Sequence, residues 1–162
     1  MILNKVTIKN FRQYRDVEIN FAKDSDKNFT IIQGNNGTGK TTLLNALSWC
    51  LYESEIHKID NSKETKGLDI CNNKTFYLAD DQETIEVKVI IEFLDDGKIL
   101  SFNRCNYYRK SNNKLLSLHK RNKFYVVKQE GTNDLIEDDP HYILERKIPK
   151  DIEDISFLMG LD

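Results

Sequence analysis

The chain has 162 residues, of which 39% are hydrophobic and 31% charged, with a formal charge of −2; that is one domain with material for a real core. So even a balance gives no whole-chain case for nucleic acid binding, which would have to rest on local patches. No apolar run reaches the length of a membrane span and the N-terminus lacks a signal peptide's apolar core. The three scattered cysteines, Cys50, Cys71 and Cys105, read as reduced thiols of a cytoplasmic protein, not as disulfides or zinc ligands.

Residues 2–9 alternate loosely and predict a strand, followed by a turn with aromatics over 10–15 and a returning, half-buried strand over 16–21. A polar turn over 23–28 leads to Phe29-Thr30-Ile31-Ile32-Gln33, a short β-branched run expected as a buried strand. Residues 42–51 carry apolar side chains at helical spacing, with Trp49 expected in the core. From Glu53 to Asp81 the pattern dissolves into a polar surface excursion. Period two returns over 83–93, Asp95-Asp96-Gly97-Lys98 signals a hairpin turn, and 99–108 and 123–128 complete an antiparallel meander. Pro140 opens a short helix, preceded by the acids Asp134, Glu137, Asp138 and Asp139, which favour its N-terminus. Pro149 is expected to start another short helix towards Phe157. His57, His119 and His141 have no partner at ligand spacing.

Between the strand at 29–33 and the helix at 42–51 lies Gly34-Asn35-Asn36-Gly37-Thr38-Gly39-Lys40-Thr41, which fits the phosphate-loop pattern G-x-x-x-x-G-K-[ST] without departure. Glycines let successive backbone N–H groups turn inward onto an anion, and the helix adds its unsatisfied amides and positive dipole end. In such a loop Lys40 reaches the β- and γ-phosphates of a nucleoside triphosphate and the Thr41 hydroxyl holds Mg²⁺. The expected fold is α/β (α+β): a P-loop NTPase with two small sheets around one helix, one of them the hairpin plus meander, the other built on the nucleotide strand. Lacking alternating strands and long helices after residue 52, the chain is not doubly wound.

Val6-Thr7-Ile8-Lys9-Asn10-Phe11-Arg12, together with Ile31 through Leu44, resembles the N-terminal lobe of the ABC-type ATPases of the SMC/SbcC-like superfamily, nearest the DndD-like branch. The resemblance covers nearly the whole of 1–162 and implies ATP with Mg²⁺ as ligands. It implies phosphate contacts from Asn35, Asn36, Gly37, Thr38, Gly39, Lys40, Thr41 and Thr42, with Thr41 also on the metal. It places Arg12 beside the nucleotide, the alternative being an exposed turn residue. Its implied partners are a C-terminal ATPase lobe, a second head that joins on ATP, a possible nuclease, and DNA, contacted indirectly or weakly. Repair of DNA breaks and defence against phage are both consistent with it. No strand ends in Asp-Glu, and there is no Leu-Ser-Gly-Gly signature, switch histidine or heptad run, so this chain alone is expected to hold a phosphate cradle without the parts for hydrolysis. It is expected to be an N-terminal lobe cut short at Ser156-Phe157-Leu158-Met159-Gly160, by a slipped reading frame or by design. The alternative reading is a non-catalytic nucleotide-binding module completed by a separate partner lobe.

A basic run, Arg104, Arg109, Lys110, Lys114, Lys120, Arg121, Lys123 and Lys128, is interleaved with Tyr107, Tyr108, Phe124 and Tyr125. Such a mixture can track a nucleic acid backbone and stack on bases. The favoured reading has the aromatics facing the sheet core and the lysines on a solvated rim.

Overall fold

The computed structural model describes residues 1–22, 29–55, 70–130 and 133–148. The expected polar turn at 23–28 and second C-terminal helix lie outside the described residues.

Alternation of apolar and polar residues sets the sheet. Strand β1 (Ile2–Phe11) turns at Arg12-Gln13 into β2 (Tyr14–Asn20), and β1 also pairs antiparallel with β3 (Thr84–Asp95). Asp96-Gly97 closes the next hairpin into β4 (Lys98–Ser111), where both turn residues take positive φ, as this tight connection demands. Strand β4 is long enough to pair with β5 (Lys114–Ser117) at one end and β6 (Lys123–Glu130) at the other; β7 (Asn133–Ile136) then pairs with β6. The result is one seven-stranded sheet in the order β2-β1-β3-β4-β6-β7, with β5 off the path.

One face of the sheet is apolar. Val6, Ile8, Val87, Val89, Ile91, Phe93, Phe102 and Val126 are almost wholly buried, and helix α1 (Lys40–Tyr52) lies against them across β3 and β4. Leu43, Ala46, Leu47, Trp49, Cys50 and Leu51 form its buried side, and Trp49 packs on Phe11 with ring centroids 5.4 Å apart. The opposite face carries Lys5, Lys9, Glu86 and Glu92, which pair across strands at 3.2–3.6 Å, as expected where one side of an antiparallel sheet meets water.

Three expectations are corrected. Phe29–Gln33 is not a strand: no described strand pairs with it, and Phe29 and Ile31 are 62% and 67% exposed while Ile32 packs on the core. The second sheet expected around it is therefore not formed, because a strand needs a neighbouring edge to satisfy its backbone. The excursion over 53–81 also ends earlier than expected. Residues 56–69 lie outside the described residues, but Ile70, Cys71 and Asn72 are buried and α2 (Asn73–Leu78) follows them. Cys71 bridges to Phe11, and the N–H groups of Arg12 and Asn72 donate to Ile70 O and Asn10 O; tertiary pairing overrides local polarity here. Helix α3 (Pro140–Lys147) begins at the expected proline, with the Asp139 carboxylate accepting from Tyr142 N at 3.0 Å.

Candidate phosphate-binding loop

Gly34–Thr38 form an exposed loop that runs through the buried Gly39 directly into the first turn of α1. Gly39 stands at the helix N-cap with φ 113°, and no side chain caps the helix there. Its first turn contains no acidic residue, so its N-terminal amides are left for an acceptor from outside the helix. Asn35 O collects donors from within the loop: the Thr38 N–H at 3.3 Å, the Thr38 hydroxyl at 2.7 Å and Lys40 Nζ at 3.0 Å. Lys40 Nζ also donates to Gly34 O, which leaves one of the ammonium's three N–H groups. A Cβ at Gly34 would fall on Thr38 Oγ1, so a larger residue there would displace that hydroxyl from Asn35 O.

No carboxylate occurs from Gly34 to Thr42, and amides, one ammonium and three threonine hydroxyls make up the donor set. This chemistry fits a polyphosphate. Thr41 is exposed on the first turn of α1, where a hydroxyl can reach a cation beside the phosphates.

Arg12 is bound to an acid. Its Nε and Nη2 make a two-pronged bond with the Glu55 carboxylate at 2.7 and 2.6 Å, the planar fork geometry that guanidinium favours. The structure thus brings Asn35 to Thr42 together as one loop and places Arg12 at the hairpin tip beside it in sequence to Gln13 and Tyr14, bound to an acid.

Sequence reasoning missed Gln13 and Tyr14. Thr42 Oγ1 donates to Gln13 Oε1 at 2.9 Å, Gln13 Nε2 lies 3.4 Å from Gly37 O, and the Tyr14 hydroxyl donates to Gly39 O at 3.0 Å. Burial pushes the Tyr14 phenol above its ordinary 10.0, keeping it a donor. No spacing rule marks these residues, since the link between hairpin and loop is purely spatial.

Arg104, the first member of the basic run, is buried. It is 5% exposed, donates from Nε to Cys50 O at 2.8 Å and from Nη2 to Leu51 O at 3.3 Å, and lies 4.3 Å over the Phe124 ring. It closes the C-terminal end of α1, where carbonyls lack helical partners and the dipole favours a cation. Burial lowers its pKa below the ordinary arginine value, against the opposing pull of Cys50 and Glu53. The basic run is divided accordingly. Tyr108 is buried, Tyr107 donates to Glu86 at 3.0 Å, Lys110 is tied to Ala79 O at 2.7 Å, and Lys114, Lys120, Arg121 and Lys123 remain exposed.

Among the described residues, no group of His, Cys, Asp and Glu could hold a metal ion and no helix is long and apolar enough to cross a membrane. A cavity of about 600 Å³ lies between the β3–β4 turn and α3, lined by Asp95, Lys98, Lys128, Asp139, Arg146 and Lys147 among others, and shares no residue with the loop.

The DNA replication and repair protein RecF of Acetivibrio thermocellus is 33% identical over 69 residues, 43% of this chain and 17% of that protein. RecF of Clostridium kluyveri is 29% identical over 100 residues, 60% of this chain and 25% of that protein. The retron Vc95 probable ATPase of Vibrio cholerae is 30% identical over 138 residues, 82% of this chain and 26% of that protein. The chain therefore spans about a quarter or less of the length of these curated relatives. A solved structure, from work on the ATP-driven dimerization and DNA-stimulated activation of SMC ATPases, matches with 20% identity and a TM-score of 0.42, over 74% of this chain and 75% of that one. The model of the AAA domain family AAA_23 matches residues 5–161, nearly the whole sequence, and the chain belongs to that family.

Proposed function

We infer that this chain is the ATP-binding N-terminal lobe of an SMC/RecF-like ATPase that acts on DNA, in repair or in defence against phage. The observation that carries the reading is the stretch Gly34–Thr42: a glycine-rich, carboxylate-free loop on an uncapped helix N-terminus, in a chain of the AAA domain family. Asn35 to Thr42 bind the triphosphate through backbone amides, Lys40 neutralises its outer phosphates, and Thr41 ligates Mg²⁺. Magnesium supplies charge neutralisation when bound; the chain supplies position. Arg12 serves the nucleotide only on leaving Glu55, to which it is bidentate. The acid that orients attacking water comes from sequence outside these 162 residues, in a C-terminal lobe, and a second head completes the site on ATP. Phe29 and Ile31, exposed just before the loop, support such a completing lobe. The relatives' far greater length is consistent with it.

The missing acid favours a second reading, a non-catalytic nucleotide-binding module that works only with a separate partner. Melting of the chain with and without Mg-ATP tests the shared core of both. Saturating ligand raises the melting temperature of the wild type, by linkage, and leaves Lys40→Ala unchanged; equal melting curves for both proteins with and without ligand would remove the nucleotide reading. ATP turnover by this chain alone, lost in Lys40→Ala, would remove the non-catalytic one.

A further inference from the structure

The tip of the β1–β2 hairpin grips the phosphate loop at three points. Tyr14 donates to Gly39 O, Gln13 accepts from the Thr42 hydroxyl, and Gln13 Nε2 approaches Gly37 O, at 3.0, 2.9 and 3.4 Å. The geometry points to Gln13 and Tyr14 as positioning residues that fix the direction of the loop's amides toward bound phosphate. This rests on the nucleotide reading above and goes beyond the loop itself.

The tip is a fixed support. Phe11, just before it, is fully buried against Trp49 of α1. The backbone of Arg12 is held on both sides, its N–H by Ile70 O at 2.6 Å and its carbonyl by the Asn72 side chain. The same Arg12 is anchored through its guanidinium to Glu55. Helix α1 and the hairpin tip are thereby joined at two places, once through Phe11 and Trp49 and once through the loop.

The decisive peptide is Gly39–Lys40. Its carbonyl accepts from Tyr14 and from Leu43 N at 2.9 Å. In a trans peptide the N–H points opposite to the carbonyl, so fixing Gly39 O beneath the loop aims the Lys40 N–H away from Tyr14, along the outward direction of the helix amides. A Cβ at Gly39 would lie 2.6 Å from Gln13 Nε2 and 2.7 Å from the Tyr14 hydroxyl. That close approach, with φ at 113°, is possible only for glycine, so the hairpin contact and the glycine are one device. Gln13 acts on the loop's two flanks of that peptide, at Gly37 O and at Thr42. By accepting from Thr42 it fixes that hydroxyl's rotamer one turn into the helix.

The test uses the full 162-residue chain, with Tyr14→Phe, Gln13→Ala and Lys40→Ala beside the wild type. Two ligands are titrated, Mg-ATP and magnesium tripolyphosphate, the latter carrying no base or sugar. Tyr14→Phe is expected to weaken both ligands alike, by about fivefold, the scale of one neutral hydrogen bond, and Gln13→Ala to do so by at least as much. The backbone amide resonance of Lys40 in the free protein shifts in Tyr14→Phe, which a merely structural loss would not single out, while unliganded melting stays near wild type. Gln13 is exposed, so its alanine variant keeps the test open should Tyr14→Phe fold poorly. If the wild type binds, Lys40→Ala does not, and both hairpin variants bind as the wild type with Lys40 unshifted, the positioning role is overturned and the nucleotide reading stands. If the wild type binds neither ligand, both fall.

Discussion

At the scale of single residues, the two ends of α1 are finished in opposite ways. Arg104 shows this best. Its guanidinium sits on Cys50 O and Leu51 O at the far end of α1, so the helix is closed at one end by a buried cation and open at the other to an anion. Cys50 lies in the same buried layer, with its thiol 3.4 Å from Val89 O. Burial pushes that thiol from 9.0 up to about 12, more than Arg104 pulls it down. Desolvation, reinforced by its bond to Glu86, likewise holds Tyr107 up at about 12. Both groups keep their protons longer folded than unfolded, so the stability they contribute is complete below the unfolded values and declines as pH climbs from 9 towards 12. Urea melts across that window should show falling stability, with a shallower fall in Cys50→Ala; an unaltered slope would separate the thiol from the effect.

At the scale of elements, legibility followed locality. Strands β3 and β4 and the turn between them were readable because alternation and Asp96-Gly97 are local signals, as were the helix over 42–51 and Asp139 capping α3. Strand β7 was hidden among acids: Asp134, grouped with those before α3, belongs to a strand paired with β6. The burial of Ile70 to Asn72 could not be read from a polar stretch, because what buries it is the hairpin tip some sixty residues earlier. Phe29–Gln33 failed in the opposite sense, a strand composition with no described neighbour. Of the candidate site, the loop was legible as a motif; the Glu55 bond of Arg12 and the support from Gln13 and Tyr14 were not, since they arise from packing. Asn72 gives this coupling a test. It caps α2 by accepting from Thr75 N at 3.0 Å and also donates to Arg12 O. Asn72→Ala is expected to cost about 2 kcal/mol by urea melting, a cap and a part-buried hydrogen bond together; a cost below about 0.5 kcal/mol, the surface default, would deny it that double role.

At the scale of the whole molecule, a single twisted sheet covers α1 on one face and meets water on the other, so the loop is displayed at the edge of the core and not enclosed within it. That suits the proposed lobe, completed from outside, and the cavity beside α3 shares no residue with the loop. The charge pattern agrees: the outer face pairs Lys5 and Lys9 with Glu92 and Glu86, while the loop carries a lysine and no acid. The central claim is that this lobe alone binds a nucleoside triphosphate through Gly34–Thr42. The most direct measurement is an equilibrium titration of the 162-residue chain with Mg-ATP, run in parallel on Lys40→Ala. The account predicts saturable binding at one site per chain, weakened at least tenfold in Lys40→Ala, as loss of a charge-assisted phosphate contact requires. Absence of binding by the wild type, or equal binding by the two proteins, would contradict it.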